Sequence, residues 1–296
     1  MYAVRKDDLK EITPNSESVC RIEDGNTNAY LRDDRVIEEF LKTIEPKYNS
    51  SLNKLETGNI DRECIYTIAG FVAFVSACSP AGMRIYSEPL KNVVENTMLM
   101  LDAKGLLPKP PPELGASSLT GLLNNKKLQV SIDAKYPQSI GISQILSRTV
   151  MLGNFPWEIL QNKITDSPFF TSDYPIAIEE TRNLRILNKI VPLSPNLAIR
   201  ICPDPNFKKE KADFTFSQFT WRKRILSQKE VAEINSLIVR SAENMVFFRD
   251  NHNWIQRFIA KNSAFHIEPH STRIKMDDGT LLSSTIRIAK IEKANN

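Results

Sequence analysis

The sequence predicts an α+β fold, in which a mainly antiparallel sheet from the central region packs against helices from both flanks. Helical periodicity dominates residues 33–160, whereas short apolar runs rich in β-favouring residues dominate residues 164–221. This segregation is typical of α+β proteins, because parallel α/β folds alternate strands with helices. Helical residues 227–261 and strands within 272–291 follow. We expect a single domain over residues 1–296.

The composition is that of an ordinary globular protein with a mild positive charge. Hydrophobic residues make up 41% of the 296 positions and charged residues 25%, and the net charge is +4. This charge permits an anionic partner without requiring one. No charged-then-apolar signal pattern opens the chain, and the longest apolar run, Cys64 to Cys78, is too short to cross a bilayer. We therefore expect no membrane partner.

Cysteine usage indicates a reducing compartment. The four cysteines have no C-x-x-C spacing, which argues against a disulfide scaffold and against a zinc ribbon. They are Cys20, Cys64, Cys78 and Cys202. The expected localisation is cytoplasmic.

Helices dominate the predicted first part of the chain. After a short hairpin over residues 2–12, a helix begins near residue 33, is interrupted by Pro46 and ends at Gly58. A buried helix is expected over residues 61–78, and it breaks at the Ser-Pro pair that follows.

The next segment combines further helices with one long loop. We expect a helix from Ser87, with a proline in its first turn, and then a proline-rich surface loop over residues 108–121. Alternating apolar residues predict a short strand over Leu128–Ile132. A helix over Ser139–Leu152 and one helical turn at Trp157–Leu160 precede the central region.

The central region has the pattern of strand, polar turn and strand. Residues 169–170 are both phenylalanine, and a polar turn over Thr171–Pro175 separates them from the apolar residues 176–178. A second such unit carries Pro-Leu-Ser-Pro at residues 192–195 and continues over Leu197–Cys202. The sequence therefore predicts the Thr171–Pro175 turn as the location of a functional site in this sheet.

Asp173 is the leading candidate for chemistry within that turn. A carboxylate at a strand end, flanked by the hydroxyls of Thr171 and Ser172, suits a general base, a metal ligand or an anchor for a substrate hydroxyl. The alternative, which spacing alone favours, is an aspartate that caps its own turn. A third arrangement is a buried carboxylate paired with an arginine such as Arg84 or Arg148.

Residues 207–224, here called the basic-aromatic segment, place aromatic rings between two basic clusters. Single-stranded nucleic acid is bound by cations that contact phosphates and rings that stack on bases. The substrate-binding candidates on this basis are Lys208, Lys209, Trp221, Arg222 and Arg224. The simpler interpretation, which we favour on base rates of burial, is a bulged strand with rings in the core and solvated charges around it.

Other site signals are weak. Gly-x-Gly-x-x-Gly, P-loop, His-Glu-x-x-His and Gly-x-Ser-x-Gly motifs are absent from the sequence, so no cofactor is identified. His266, Glu268 and His270 would share one face of a strand, as metal ligands require, but Pro269 disfavours a regular strand there. We assign no metal site.

The C-terminal part returns to helix and then strand. Ser227 and Glu230 form a capping-box pattern that opens a helix, and Asn253–Lys261 has helical character. The Asp-Asp-Gly at residues 277–279 predicts a hairpin turn between terminal strands.

The motifs of the central region resemble a bacterial family, domain-of-unknown-function family 4238 (DUF4238). The resemblance depends on the Phe-rich strand into Thr171–Pro175, on Pro-Leu-Ser-Pro at residues 192–195, on Trp157 and on residues 242–247, and it extends over most of the chain. It implies a topology and a location for the site, but no reaction. Tyr174 stands where the family usually has asparagine, and the family's N-terminal His-Tyr-x-Pro segment has no counterpart, which suggests a shortened version or a misplaced gene start.

Two function classes follow. One is an enzyme or toxin that acts on a nucleotide or nucleic acid around Asp173, with the basic-aromatic segment as its substrate surface. The other is a non-catalytic interaction or binding protein, in which the Thr171–Pro175 turn is structural and a basic face docks a partner.

Overall fold

A computed structural model describes residues 1–15, 25, 27–183, 186–276 and 279–291. The helices are α1 (Val36–Ile44), α2 (Tyr48–Thr57), α3 (Arg62–Cys78), α4 (Pro80–Ala103), α5 (Leu119–Asn124), α6 (Lys135–Ser143), α7 (Ile145–Asn154), α8 (Gln228–Ser241) and α9 (Ile255–Asn262). The strands are β1 (Tyr2–Arg5), β2 (Glu11–Ile12), β3 (Trp157–Gln161), β4 (Thr171–Ser172), β5 (Ala177–Glu180), β6 (Leu187–Ser194), β7 (Leu197–Ile201), β8 (Trp221–Ile225), β9 (Met245–Phe248), β10 (Phe265–Met276) and β11 (Gly279–Lys290).

The strands form three sheets. A five-stranded sheet has the order β5-β6-β7-β3-β8, a four-stranded sheet has the order β2-β1-β9-β4, and β10 pairs with β11. All pairings are antiparallel except β3 with β8. The predicted α+β class with a mainly antiparallel sheet is therefore confirmed.

The five-stranded sheet separates two apolar cores. Because side chains alternate along a strand, Trp157 and Ile159 of β3 face a core shared with α1, α3 and α7, whereas Leu160 faces a core shared with α8 and α9. The sheet is thus covered by the N-terminal helices on one face. The C-terminal helices and the four-stranded sheet cover the other.

The predicted secondary structure is wrong for two segments. Trp157–Leu160, predicted as a helical turn, is the strand β3 between β7 and β8. A short apolar run does not distinguish the two structures, and here the long-range pairing decides. Residues 128–132, predicted as a strand, have no strand hydrogen bonds. Their alternation is too short to specify a partner.

Two predicted helix boundaries also differ. The helix expected from Ser87 begins at Pro80, where the Ser79 hydroxyl accepts a hydrogen bond from the backbone N–H of Gly82. Pro89 therefore lies inside α4. The helix predicted over Ser139–Leu152 is divided into α6 and α7 at Gln144.

Several local signals are confirmed. Gly58 ends α2 with a φ of 85°, a left-handed conformation that glycine adopts without strain. The Ser227–Glu230 capping box is formed at the start of α8. The hairpin turn predicted at Asp277 and Asp278 lies outside the described residues.

Among the described residues, no single helix is both long and apolar enough to cross a bilayer. Helices α3 and α4 have sufficient length and apolar composition only as a pair, which is bent by 61°.

Candidate functional site

Asp173 lies directly after β4 and faces the backbone that enters β9. Strand β4 pairs with β9 through Thr171 and Phe247 and through Ser172 and Val246, so Asp173 is next to the segment that joins α8 to β9. This joining segment, residues 242–245, is called the 242–245 segment below. The pairing explains how an aspartate at the end of a two-residue strand reaches a distant stretch of chain.

The Asp173 carboxylate accepts three backbone hydrogen bonds from this segment. The N–H of Glu243 donates to Oδ1 at 3.0 Å, while the N–H groups of Asn244 and Met245 donate to Oδ2 at 2.7 and 3.1 Å. The backbone N–H of Asp173 in turn donates to the carbonyl of Met245 at 3.2 Å. Asp173 therefore fixes the conformation of another segment.

The other two turn residues also have structural contacts. The buried hydroxyl of Ser172 donates to the carbonyl of Tyr174 at 2.7 Å and accepts from the backbone N–H of Tyr174 at 3.2 Å. Thr171 pairs with Phe247 in the β4–β9 ladder. The structure thus brings Thr171, Ser172 and Asp173 together along β9.

Two cationic side chains bind the same segment. Lys6 is only 7% exposed, and its ammonium donates to the carbonyls of Ala242 and, at 2.6 Å, of Phe265. The guanidinium of Arg84 forms a bidentate pair with Glu243, with both N–O distances 2.6 Å, and donates to the carbonyl of Ile267 at 2.9 Å. Arg84 therefore pairs with Glu243, not with Asp173, and Arg148 lies elsewhere, over the ring of Tyr86.

The electrostatics of this cluster follow from its burial. Burial raises the pKa of Asp173, and the three backbone N–H groups oppose that rise. Burial lowers the pKa of Lys6 to about 8, although Asp173 and Glu243 favour its charged form. Each charge is held by fixed dipoles or by an opposite charge, an arrangement that resists reorganisation.

Two aromatic rings of the basic-aromatic segment, those of Phe216 and Phe219, lie in or against the core, whereas Phe214 is 40% exposed. Phe216 is 4% exposed, with a φ of 55°, and a Cβ placed on Gly153 would come within 2.4 Å of its ring. Phe219 packs edge-on against Trp157, with centroids 5.2 Å apart. The segment is irregular up to β8, so the predicted bulged strand is replaced by a loop that directs these rings inward.

Arg222 and Arg224 belong to an ion-pair network around Glu158. This carboxylate, 6% exposed, pairs with Arg200, with Arg222 (Nε–Oε1 2.7 Å) and with Arg224 (Nη1–Oε2 3.3 Å). Burial acts to raise the pKa of Glu158, but hydrogen bonds from Arg222 and Arg200 outweigh it, and the pKa is lowered. Strand pairing of β8 and β7 with β3 places these residues in adjacent positions.

The remaining substrate-binding candidates lie at the surface. Lys208 and Lys209 are exposed, and neither has an acidic partner within the described ranges. Trp221 is 39% exposed on the edge strand β8, where its ring lies against Gly58. The Arg222 side chain is 73% exposed despite its ion pair.

The histidine pattern near the C-terminus includes one hydrogen-bonded contact between His266 and Glu268. His266 Nε2 lies 2.7 Å from Glu268 Oε1, at a groove that Arg287 and Lys290 also line. In the part of the chain that the structure describes, no group of three or more His, Cys, Asp or Glu side chains is arranged to hold a metal ion.

The buried contacts of Lys6 and the pairing of Arg84 with Glu243 were not predicted from the sequence. Lys6 lies in a predicted turn, where a lysine is ordinarily solvated, and its acceptors come 236 and 259 residues later in the chain. A signal was present only for Glu243, because residues 242–247 are among those on which the family resemblance depends.

Comparison with known proteins gives one match. A family model described as "Protein of unknown function (DUF4238)" matches residues 1–252, and therefore every element from β1 to β9. No curated protein matches the chain significantly, and no solved structure does. The match ends before α9 and the β10–β11 hairpin.

Proposed function

The chain belongs to the DUF4238 family, and we propose that it is a non-catalytic binding protein in which the Thr171–Pro175 turn is structural. One observation carries the proposal: the Asp173 carboxylate accepts backbone hydrogen bonds from Glu243, Asn244 and Met245. A general base needs a lone pair directed at substrate, whereas three of the roughly four acceptor positions of this carboxylate are occupied by the protein itself.

The proposed binding surface is the exposed cationic part of the basic-aromatic segment. Lys208, Lys209 and the Arg222 side chain are exposed cations, and the ring of Trp221, which precedes Arg222 in β8, is partly exposed. This combination favours an anionic partner. Nucleic acid is the partner class for which an exposed ring adds binding energy, because bases stack on it.

The competing candidate is an enzyme or toxin that acts on a nucleotide or nucleic acid at Asp173. The two candidates differ in what happens to a labelled single-stranded oligonucleotide. We expect the wild-type chain to bind it, measured by fluorescence anisotropy, and to leave it intact, measured by electrophoresis. Binding should weaken steeply with salt because phosphate contacts release counterions.

Variants separate the surface from the turn. Lys208→Gln combined with Lys209→Gln should weaken binding, whereas Asp173→Asn, tested where it is still folded, should bind as the wild type does. Cleavage or modification of the oligonucleotide that disappears in folded Asp173→Asn would overturn the non-catalytic proposal. Absence of binding at low ionic strength would remove nucleic acid as the partner.

A further inference from the structure

A pocket of about 250 Å³ opens among α3, α4, α7 and β6, and Asp173 does not line it. Its polar rim includes Tyr86, Ser147, Arg148 and Lys189, and its apolar part includes Ala73 and Met151. Four elements from separate parts of the chain thus contribute to one concavity. Its volume is just below the usual range for small-molecule sites, which restricts it to a small ligand.

Two cations of this pocket have no acidic partner. Arg148 and Lys189 are half-buried, no acidic side chain is among the described residues that line the pocket, and neither cation forms an ion pair within the described ranges. Arg148 instead lies over the ring of Tyr86, 4.8 Å from its centroid. This stacking orients the guanidinium while leaving its edge donors free.

We propose that this pocket binds a small amphipathic anion, with a carboxylate or phosphate head group between Arg148 and Lys189 and a ring-sized apolar group against Met151, a partly exposed apolar residue of its lining. An oxyanion would form charge-assisted hydrogen bonds to both cations, while Ser147 and Tyr86 supply hydroxyl groups at the rim. The apolar wall limits the ligand class, because a fully hydrated anion would gain nothing from it.

Tyr174 of the Thr171–Pro175 turn is affected by the positive charge of one residue of the pocket. It is 4% exposed, burial raises the pKa of its hydroxyl, and the positive charge of Arg148 opposes that rise. Tyr174 itself does not line the pocket. The inference does not depend on the proposed role of Asp173, which does not line the pocket.

Isothermal titration calorimetry on the full chain at low ionic strength tests the proposal. The probes are phenyl phosphate, benzoate, inorganic phosphate and benzyl alcohol. We expect saturable binding of phenyl phosphate, of benzoate or of both, and the two arms identify the head group. Inorganic phosphate should bind more weakly because it lacks the apolar group, and benzyl alcohol should not bind because it lacks the charge.

Substitutions then locate the binding. Arg148→Met and Lys189→Met should each weaken the binding of the better ligand at least about tenfold, the usual effect of losing one charge-assisted hydrogen bond. Lys229→Met removes the same charge from an exposed position, 87% accessible, on α8 and should change nothing.

Three results would overturn the inference. They are no binding of either amphipathic anion, equal binding of phenyl phosphate and benzyl alcohol, and equal weakening by Lys229→Met and the pocket variants. Should Arg148→Met fail to fold in a thermal unfolding control, Lys189→Met and the comparison of probes on the wild-type chain decide alone.

Discussion

The 242–245 segment and the pocket on α7 use charged side chains in opposite ways. Around the 242–245 segment, Asp173, Lys6 and Arg84 each have partners inside the molecule, at hydrogen-bonding distance. In the pocket, Arg148 and Lys189 are oriented and half-buried but lack an acidic partner among the described residues. The charges of the 242–245 segment stabilise its own conformation. The two cations of the pocket are available to the proposed ligand.

This difference is the reason for proposing the pocket, and not the Thr171–Pro175 turn, as a binding site. Asp173 is the residue whose position in a turn invites a catalytic interpretation, yet its carboxylate is occupied by backbone N–H groups. Arg148 and Lys189 belong to no motif, yet neither has an acidic partner in the part of the chain that the structure describes. Residue type and turn position are therefore weaker guides to binding than the presence or absence of an internal partner.

The largest expected effect tests the structural role of Asp173. Asp173→Ala should lower the free energy of unfolding by about 2–4 kcal/mol, because backbone N–H groups lose a charged acceptor and water replaces it only in part. Asp173→Asn should cost less, about 1–2 kcal/mol, because one acceptor oxygen remains. Urea-induced unfolding measures both.

Asp204 is the matched control for this experiment. Its exposed carboxylate accepts a hydrogen bond from the backbone N–H of Asn206, 2.9 Å away in its own turn. Asp204→Asn should stay within about 0.5 kcal/mol of the wild type, since asparagine serves well in turns. If Asp173→Ala were equally harmless, the 242–245 segment would not depend on the carboxylate, and the main argument against a catalytic Asp173 would be lost.

The second prediction concerns the pH dependence of stability caused by Lys6. Its pKa is lowered to about 8 in the folded chain, from an ordinary value of 10.5. Between these values the unfolded chain keeps the proton that the folded chain releases. Stability therefore rises with pH in this window, by at most about 1.4 kcal/mol per pH unit, and the burial penalty is fully present below the folded pKa.

The comparison with Lys6→Met isolates this contribution. The stability of the wild type relative to Lys6→Met should be lowest at neutral pH and should increase by up to about 3 kcal/mol towards pH 10. Exposed Lys10, in the same hairpin, supplies Lys10→Met as the control for loss of one lysine. If the stability of the wild type relative to Lys6→Met instead fell as the pH rose, the ammonium would be better stabilised in the fold than in water.

The sequence was sufficient for features that depend on neighbouring residues. The segregation of helix from strand, the glycine that ends α2 and the capping box of α8 are all local, and all three are confirmed. Strand β3 was predicted as helix because its identity depends on pairing with β7 and β8, which lie 36 or more positions later. Local patterns carry little information about such partners.

The candidate site follows the same rule. The turn at Asp173 was predictable from small polar residues next to a proline, but its three hydrogen-bond donors lie 70 to 72 positions away. The pocket draws Tyr86, Arg148 and Lys189 from a helix, another helix and a strand, so no spacing in the sequence relates them. Charge compensation, which separates the two regions, is a property of the folded chain alone.

The smallest expected effect is that of Arg222→Gln. It tests whether pairing with a carboxylate or burial of the side chain decides how much a cation contributes to stability. Arg200 and Arg222 pair with the same carboxylate, Glu158, but their side chains are 13% and 73% exposed. Arg222→Gln should cost at most about 1 kcal/mol, because an exposed ion pair is screened and its side chain is costly to order. Arg200→Gln should cost more, about 3 kcal/mol, since it removes a buried partner.

Urea unfolding of both variants measures these costs. Adding Glu158→Gln and the Arg222→Gln/Glu158→Gln double variant completes a cycle that gives the coupling between Arg222 and Glu158. A coupling near zero between Arg222 and Glu158 would mean that the ion pair adds little and that Arg222 is available to an anionic partner. Arg222→Gln would then weaken polyanion binding while leaving stability almost unchanged. A coupling as large as that expected for a buried pair would instead place Arg222 with Lys6 and Arg84, among the cations already committed to the fold, and would leave Lys208 and Lys209 as the free cations of the basic-aromatic segment.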